Sequence, residues 1–184
     1  MRTFIAVELD DAIRSRLAEA QQQLRPVAGA SVKWVKPELI HLTLKFLGEI
    51  DEGQVADVAE AMALAAAGAG AFELSVAGLG AFPPRGAPRV VWAGVEPHPA
   101  LTALVERLEE GLEILGFARE RRPYSPHLTL GRVKDPRGAS ALRGRLEAGA
   151  AMSFGARRVD DLVLMQSVLT TAGPTYTPLR RQPL

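Results

Sequence analysis

The tetrapeptide His-Leu-Thr-Leu stands twice in this chain, at 41–44 and again at 127–130. Two of the three histidines lie in these copies. Along a β-strand, residues two apart face the same side. Each copy can therefore bury both leucines and present its histidine and threonine together. Together with the order of elements along the chain, two such strands suggest two related lobes. If the lobes meet about a pseudo-two-fold axis, His41, Thr43, His127 and Thr129 converge.

The rest of the chain fits such a frame. Thr3 to Leu9 reads as a buried strand. Asp10 or Asp11 caps a helix carrying Ile13, Leu17, Ala20 and Leu24 at helical spacing, which Pro26 and Gly29 are expected to end. Strands follow near 32–35 and 40–47, then a helix from Asp51 through Leu64. Strands at 72–79 and 89–95 flank a Pro/Gly-rich loop, 82–88. An amphipathic helix over 98–115 ends at Gly116. A strand at 127–133, a weaker helix at 139–146 and strands near 158–169 and 175–179 complete the chain. Several strands are joined by short loops, which favours antiparallel pairing and an α+β fold. The order strand, helix, strand, strand, helix, strand recurs in the two halves. No other clear similarity between the halves survives, so the internal duplication is a structural expectation.

Composition narrows the function. There is no cysteine, which excludes disulfides, thiolate catalysis, iron–sulfur clusters and cysteine-based zinc sites. The net charge of +1 is too small for a strongly basic, non-specific nucleic-acid binder, although a local basic patch remains compatible with it. The apolar run at the N-terminus is short and broken by Glu8, and no stretch approaches a membrane span without charge. A cytoplasmic protein without membrane association is expected.

The repeated motif suits phosphate chemistry. Each threonine hydroxyl can donate to a phosphoryl oxygen. An imidazole has an unperturbed pKa near ~6.5, so one neutral and one protonated histidine can coexist near neutral pH. The first takes a proton from an attacking water and the second gives one to a leaving oxygen. No metal or cofactor is needed. A zinc site built from all three histidines would require His98 to reach the cleft, and nothing in the spacing suggests it. His98, between Pro97 and Pro99, reads as a structural or exposed residue.

Several segments, in order along nearly the whole chain, carry a resemblance. They are Arg2-Thr-Phe-Ile-Ala-Val-Glu-Leu9, Val32-Lys-Trp-Val-Lys-Pro37, His41-Leu-Thr-Leu-Lys-Phe-Leu-Gly-Glu49, Pro88-Arg-Val-Val-Trp-Ala-Gly-Val95, Ser125-Pro-His-Leu-Thr-Leu-Gly-Arg132, and 162–179 with Ser167, Gly173 and Tyr176. With the paired motifs, they resemble the RNA 2′,3′-cyclic phosphodiesterases, also called 2′-5′ RNA ligases, of the two-histidine phosphoesterase superfamily. The resemblance implies one bilobal unit over 1–184, with antiparallel sheets lining a central groove and helices outside. It implies opening of an RNA 2′,3′-cyclic phosphate to a 2′-phosphate, and a reversible 2′-5′ joining activity. By the resemblance His41 is the proton donor, His127 the proton acceptor, and Thr43 and Thr129 bind the phosphate. The partners implied are RNA ends, tRNA fragments among them, and a self-contained pseudo-symmetric pair is expected to be a monomer.

Other residues are candidates beside these four. Strand parity puts Arg132 on the face opposite His127 unless the strand bends near Gly131, while the resemblance makes it a phosphate contact. Lys45 shares the parity of His41 and Thr43 and is expected on the cleft floor. Phe46, Phe82, Tyr124, Trp34 and Trp92 are candidates for stacking on a base. Arg119, Arg121 and Arg122 precede the second motif and are candidates for the RNA backbone. Competing functions are a cyclic phosphodiesterase acting on a small nucleotide and a non-catalytic RNA-end binding module.

Overall fold

The chain runs β1 (Arg2–Glu8), α1 (Asp11–Ala28), β2 (Val32–Trp34), β3 (His41–Glu49), α2 (Gln54–Ala66), β4 (Phe72–Phe82), β5 (Val90–Val95), α3 (Pro99–Ile114), β6 (His127–Val133), α4 (Leu142–Ala148), β7 (Ser153–Val159), β8 (Asp161–Thr170) and β9 (Gly173–Pro183). The structure, a computed structural model, describes residues 1–137, 139, 141–171 and 173–184.

The strands form one curled α+β sheet in the order β7-β4-β5-β6-β3-β1-β8-β9, with β2 added to β6. Every pairing among the described residues is antiparallel. The order divides at β6–β3 into two four-stranded halves. In each half a motif strand is innermost, followed by β1 and β8 on one side and by β5 and β4 on the other. The two lobes are not consecutive in sequence. The C-terminal strands cross back, β8 pairing with β1 and β9 with β8, so the end of the chain completes the lobe that its beginning opened.

Helix chemistry follows the sequence closely. The Asp10 carboxylate accepts from the Ile13 amide at 2.8 Å and caps α1, which buries Ile13, Leu17, Ala20 and Leu24. The helix does not stop at Pro26 but continues to Ala28. Pro26 is exposed, so its ring disturbs only the solvent side of the last turn. His98 caps α3, its Nδ1 accepting from the Ala100 amide at 3.2 Å, and its ring stacks on Phe72. The strand anticipated over 158–169 is two strands that turn at Asp160, and the weaker helix begins at Leu142.

The helices cover the convex face, where one apolar core runs through both lobes and includes Leu42, Leu44, Leu128 and Leu130. Helices also tie the lobes together. Arg16 of α1 donates to the Phe154 carbonyl of β7, and Glu109 of α3 pairs with Lys45 of β3. A smaller cluster of Phe4, Ala6, Val163 and Met165 sits apart from this core, with Tyr176 against it. Among the described residues no helix is long and apolar enough to cross a membrane.

Candidate active site

The two motifs meet where β3 and β6 pair, and the pair in register is Leu42 with Leu128. Both leucines are fully buried. Antiparallel geometry about that point sets His41 across from Thr129 and Thr43 across from His127. Residues directly opposite share a face, so all four polar side chains lie on the side away from the helices. Each of the four is half-buried.

Both imidazoles are oriented the same way. His41 Nδ1 lies 2.8 Å from the Leu39 carbonyl, and His127 Nδ1 lies 2.8 Å from the Ser125 carbonyl. A carbonyl only accepts, so Nδ1 carries hydrogen in both rings. That fixes the tautomer and reserves Nε2 for chemistry, as a lone pair in the neutral ring and a donor in the charged one. In both cases the carbonyl two residues back lies outside the strand, at the end of the turn Pro37–Leu39 before β3 and just ahead of Pro126 before β6.

Bulges decide which later residues share this face. Between β1 and β3, Ala6 pairs with Thr43 and Ile5 with Lys45, leaving Leu44 extra. Between β5 and β6, Trp92 pairs with Thr129 and Val91 with Gly131, leaving Leu130 extra. A bulge flips the alternation. It moves the fifth residue after each histidine, Phe46 and Arg132, onto the site face, and turns the fourth, Lys45 and Gly131, toward the helices.

Lys45 is therefore not on the cleft floor. It is buried, and its Nζ donates to Glu109 Oε2 and to the Ala118 carbonyl, each at 2.7 Å. Arg132, which simple parity put on the wrong side, is exposed on the site face. Its charge and that of Arg2 act on the Tyr176 phenol, whose pKa burial raises and these two cations pull back. The two arginines thus border the same groove. Carbonyls at both bulges are held from outside. Buried Gln21 of α1 donates to the Val35 and Leu130 carbonyls at 2.7 and 2.9 Å. The Tyr124 hydroxyl donates to the Thr43 carbonyl at 2.9 Å. Burial pushes the Tyr124 phenol far above its usual value, so this tyrosine braces the strand with its hydroxyl committed.

The aromatic candidates separate. Phe46 is 61% exposed and tilts against the buried Phe4, leaving the Phe46 ring as an open apolar surface. Phe82 meets His127 edge-on at 4.9 Å and leans on Trp92. The Trp92 ring lies over Gly80, where any Cβ would stand 2.3 Å from it. Trp34 packs toward the core, with Arg25 over its ring. Arg122 and Arg121 are exposed before the second motif, and Arg119 is taken up by Glu113 at 3.6 Å.

Sequence reasoning missed the surroundings of His41. Phe4 stacks on its ring at 4.6 Å and Tyr176 meets it edge-on at 5.3 Å. A cavity of about 130 Å³ beside it is lined by Glu8, Arg14, Glu38 and Tyr176, among others. Burial lowers the His41 pKa; the Leu39 carbonyl bond opposes this, Arg14 adds to it and Glu8 opposes it. Glu8 is itself held by Arg181 at 2.7 Å. Alternation in β1 puts Phe4 and Glu8 on one face, but nothing local shows that the last strand returns to seat Tyr176 there.

Comparisons place the chain. The LigT like Phosphoesterase family matches residues 7–92 and 94–176. An RNA 2′,3′-cyclic phosphodiesterase of Archaeoglobus fulgidus is 42% identical over 182 residues, 98% of each chain. One of Methanothermobacter thermautotrophicus is 38% identical over 97% of this chain and 96% of its own. The crystal structure of TT0787 of Thermus thermophilus has a TM-score of 0.83 at 34% identity, covering 100% of this chain and 98% of its own. E. coli LigT complexed with 3′-AMP has a TM-score of 0.79 at 27% identity, covering 100% and 97%. The family match takes in both histidine motifs and the strands that juxtapose them, and the chain belongs to the LigT-like phosphoesterases of the two-histidine superfamily.

Proposed function

We propose that this phosphoesterase hydrolyses RNA 2′,3′-cyclic phosphate ends to 2′-phosphate ends, with the two histidines as its acid and base and no metal in the reaction. The observation that carries this is the matched pair of imidazoles, each with Nδ1–H committed to a carbonyl and Nε2 on the shared face beside the other motif's threonine. The relatives named as RNA 2′,3′-cyclic phosphodiesterases supply the substrate class.

In this reading the cyclic phosphate sits between the histidines. Thr43 and Thr129 donate to its non-bridging oxygens, and Arg132 offsets its charge. His127 Nε2 takes a proton as water attacks phosphorus. The P–O3′ bond breaks, and His41 Nε2–H supplies the proton to the departing 3′-oxygen. The 2′-phosphate and a 3′-hydroxyl remain. Each proton transfer contributes roughly 10²–10⁴-fold, and preorganised donors lower the barrier further. An RNA 5′-hydroxyl replacing water gives 2′-5′ joining by the same transfers in the same direction, and cleavage of that linkage back to the cyclic phosphate runs them in reverse. We take the enzyme to work as a cytoplasmic monomer on RNA ends such as tRNA fragments.

One observation favours a second assignment. Burial holds His41 below the ordinary imidazole range, which favours its neutral form in the free protein and so the base role. The bound phosphate anion opposes that by stabilising imidazolium. A substrate with sulfur in place of the 3′-oxygen separates the two, because a thiolate leaves without protonation. If His41 is the acid, the sulfur substrate restores turnover to His41→Ala and leaves His127→Ala inactive; the reverse pattern swaps the roles.

The founding test is hydrolysis of a short RNA with a 2′,3′-cyclic phosphate, in EDTA, by wild type, His41→Ala and His127→Ala. Release of 2′-phosphate by wild type alone is expected. Turnover of the mononucleotide as fast as of the oligomer would move the substrate to a small nucleotide. No turnover in wild type would leave a binding module.

A further inference from the structure

The loop after β4 is short of backbone donors. Pro83, Pro84 and Pro88 have no N–H, and the Arg89 amide closes the base of the loop on the Phe82 carbonyl at 2.8 Å. Three of the carbonyls beyond it are taken up by one side chain. Arg143 of α4 donates from Nε and Nη2 to the Gly86 carbonyl at 3.1 and 2.7 Å, from Nη1 to Pro84 at 2.9 Å, and from Nη2 to Pro83 at 3.2 Å. The planar fork is rigid, so these bonds fix the loop's position relative to α4. No carboxylate among the described residues pairs with Arg143. Phe82, at the root of this loop, is the aromatic that touches His127.

We propose that Arg143 is a positioning residue, which holds the Phe82 loop against His127 so that Phe82 forms a fixed wall of the nucleoside site. Arg143 acts at a distance, through the loop, and touches none of the four motif side chains. The functional half of the proposal rests on the cyclic phosphodiesterase reading; the structural half does not. Released from Arg143, the loop samples positions in which Phe82 no longer meets the ring. The nucleoside then binds less well, while both proton transfers remain in place. The effect belongs in KM rather than kcat.

The test compares Arg143→Ala, Arg143→Lys, Phe82→Ala and the double variant on a short RNA 2′,3′-cyclic phosphate, with melting temperature as a control. Arg143→Ala should raise KM about fivefold and change kcat less than about twofold. Lysine cannot reproduce the fork and should rescue only part. The double variant should match Phe82→Ala, because two residues acting through one contact do not add. In the free protein, the imidazole NMR resonances of His127 should move in Arg143→Ala while those of His41 and His98 stay. Multiplying KM effects, or an unmoved His127 resonance, would overturn the proposal. If wild type turns over no cyclic phosphate, the enzymatic reading fails, and the resonance experiment still decides whether Arg143 holds Phe82.

Discussion

The two histidines make the same backbone bond in different surroundings. His41 lies between Phe4 and Tyr176, beside a small cavity with charged walls. His127 has Phe82 at one edge. The difference extends along the strands. At equivalent positions after the bulges, the first half places exposed Phe46 on the site face and the second places Arg132. Beneath them, the first half holds an ion-paired lysine and the second a glycine, packed so closely that a Cβ would stand 2.6 Å from Val32 and 3.1 Å from Trp34. A fold with two similar halves has thus placed a histidine enclosed by aromatics and an exposed phenylalanine in one half, and a less enclosed histidine and an exposed arginine in the other. A reaction that moves one proton in and another out needs two groups of the same kind in unequal environments.

The largest effect expected is on turnover. His41→Ala and His127→Ala should each lower kcat by roughly 10²–10⁴-fold, measured by 2′-phosphate release. A variant keeping near-wild-type activity would break the pairing of the halves. Next is Lys45→Met, which removes the buried cation and leaves the half-buried Glu109 with only the Glu120 amide. Removing one member of a buried pair costs about 3–5 kcal/mol, read from urea unfolding; a change under about 1 kcal/mol would show that the pair contributes no more than an exposed one. The supports of the two bulges can be compared directly. Gln21→Leu takes the Gln21 bond from the Val35 carbonyl, at about 1–3 kcal/mol, and one of two bonds from the Leu130 carbonyl, which keeps the Val35 amide, whereas Tyr124→Phe removes one hydrogen bond and should cost about 1 kcal/mol. Equal losses would mean that Gln21 does not brace the second motif strand.

The smallest effect expected sharpens the electrostatic contrast. Because the folded pKa of His41 is lowered, the unfolded chain binds its proton more readily. Stability from this group is full above the unfolded value of about 6.5 and falls as pH drops from there through the folded value. His41→Gln should flatten that part of the stability curve, measured by melting temperature against pH. An unchanged slope would show that burial does not hold the ring neutral.

The strands and helices were legible where local chemistry decides them. The leucines of both motifs, the Asp10 cap and the stripe Leu101, Leu104, Leu108, Leu112 all sit in the elements their spacing requires. Lys45, and Arg132 so far as strand parity alone placed it, went astray for one reason. Alternation counts residues, and a bulge adds one without leaving a signal in the residue it adds; Leu44 and Leu130 look like any other core leucine. Pro26 misled because a proline exposed near the end of a helix disturbs little.

The sequence alone determined that two like strands exist, that each carries a histidine and a threonine on one side, and that no cysteine chemistry takes part. These follow from the period of the strand and from the residue types. Tertiary structure alone decided that Leu42 meets Leu128, that the last two strands return to the first lobe, and that Tyr176 and Phe4 enclose His41 while Phe82 borders His127. Those contacts join residues far apart in the chain. What selects them is the burial of both lobes' leucines in one core, an energy summed over the whole sheet that no single segment contains.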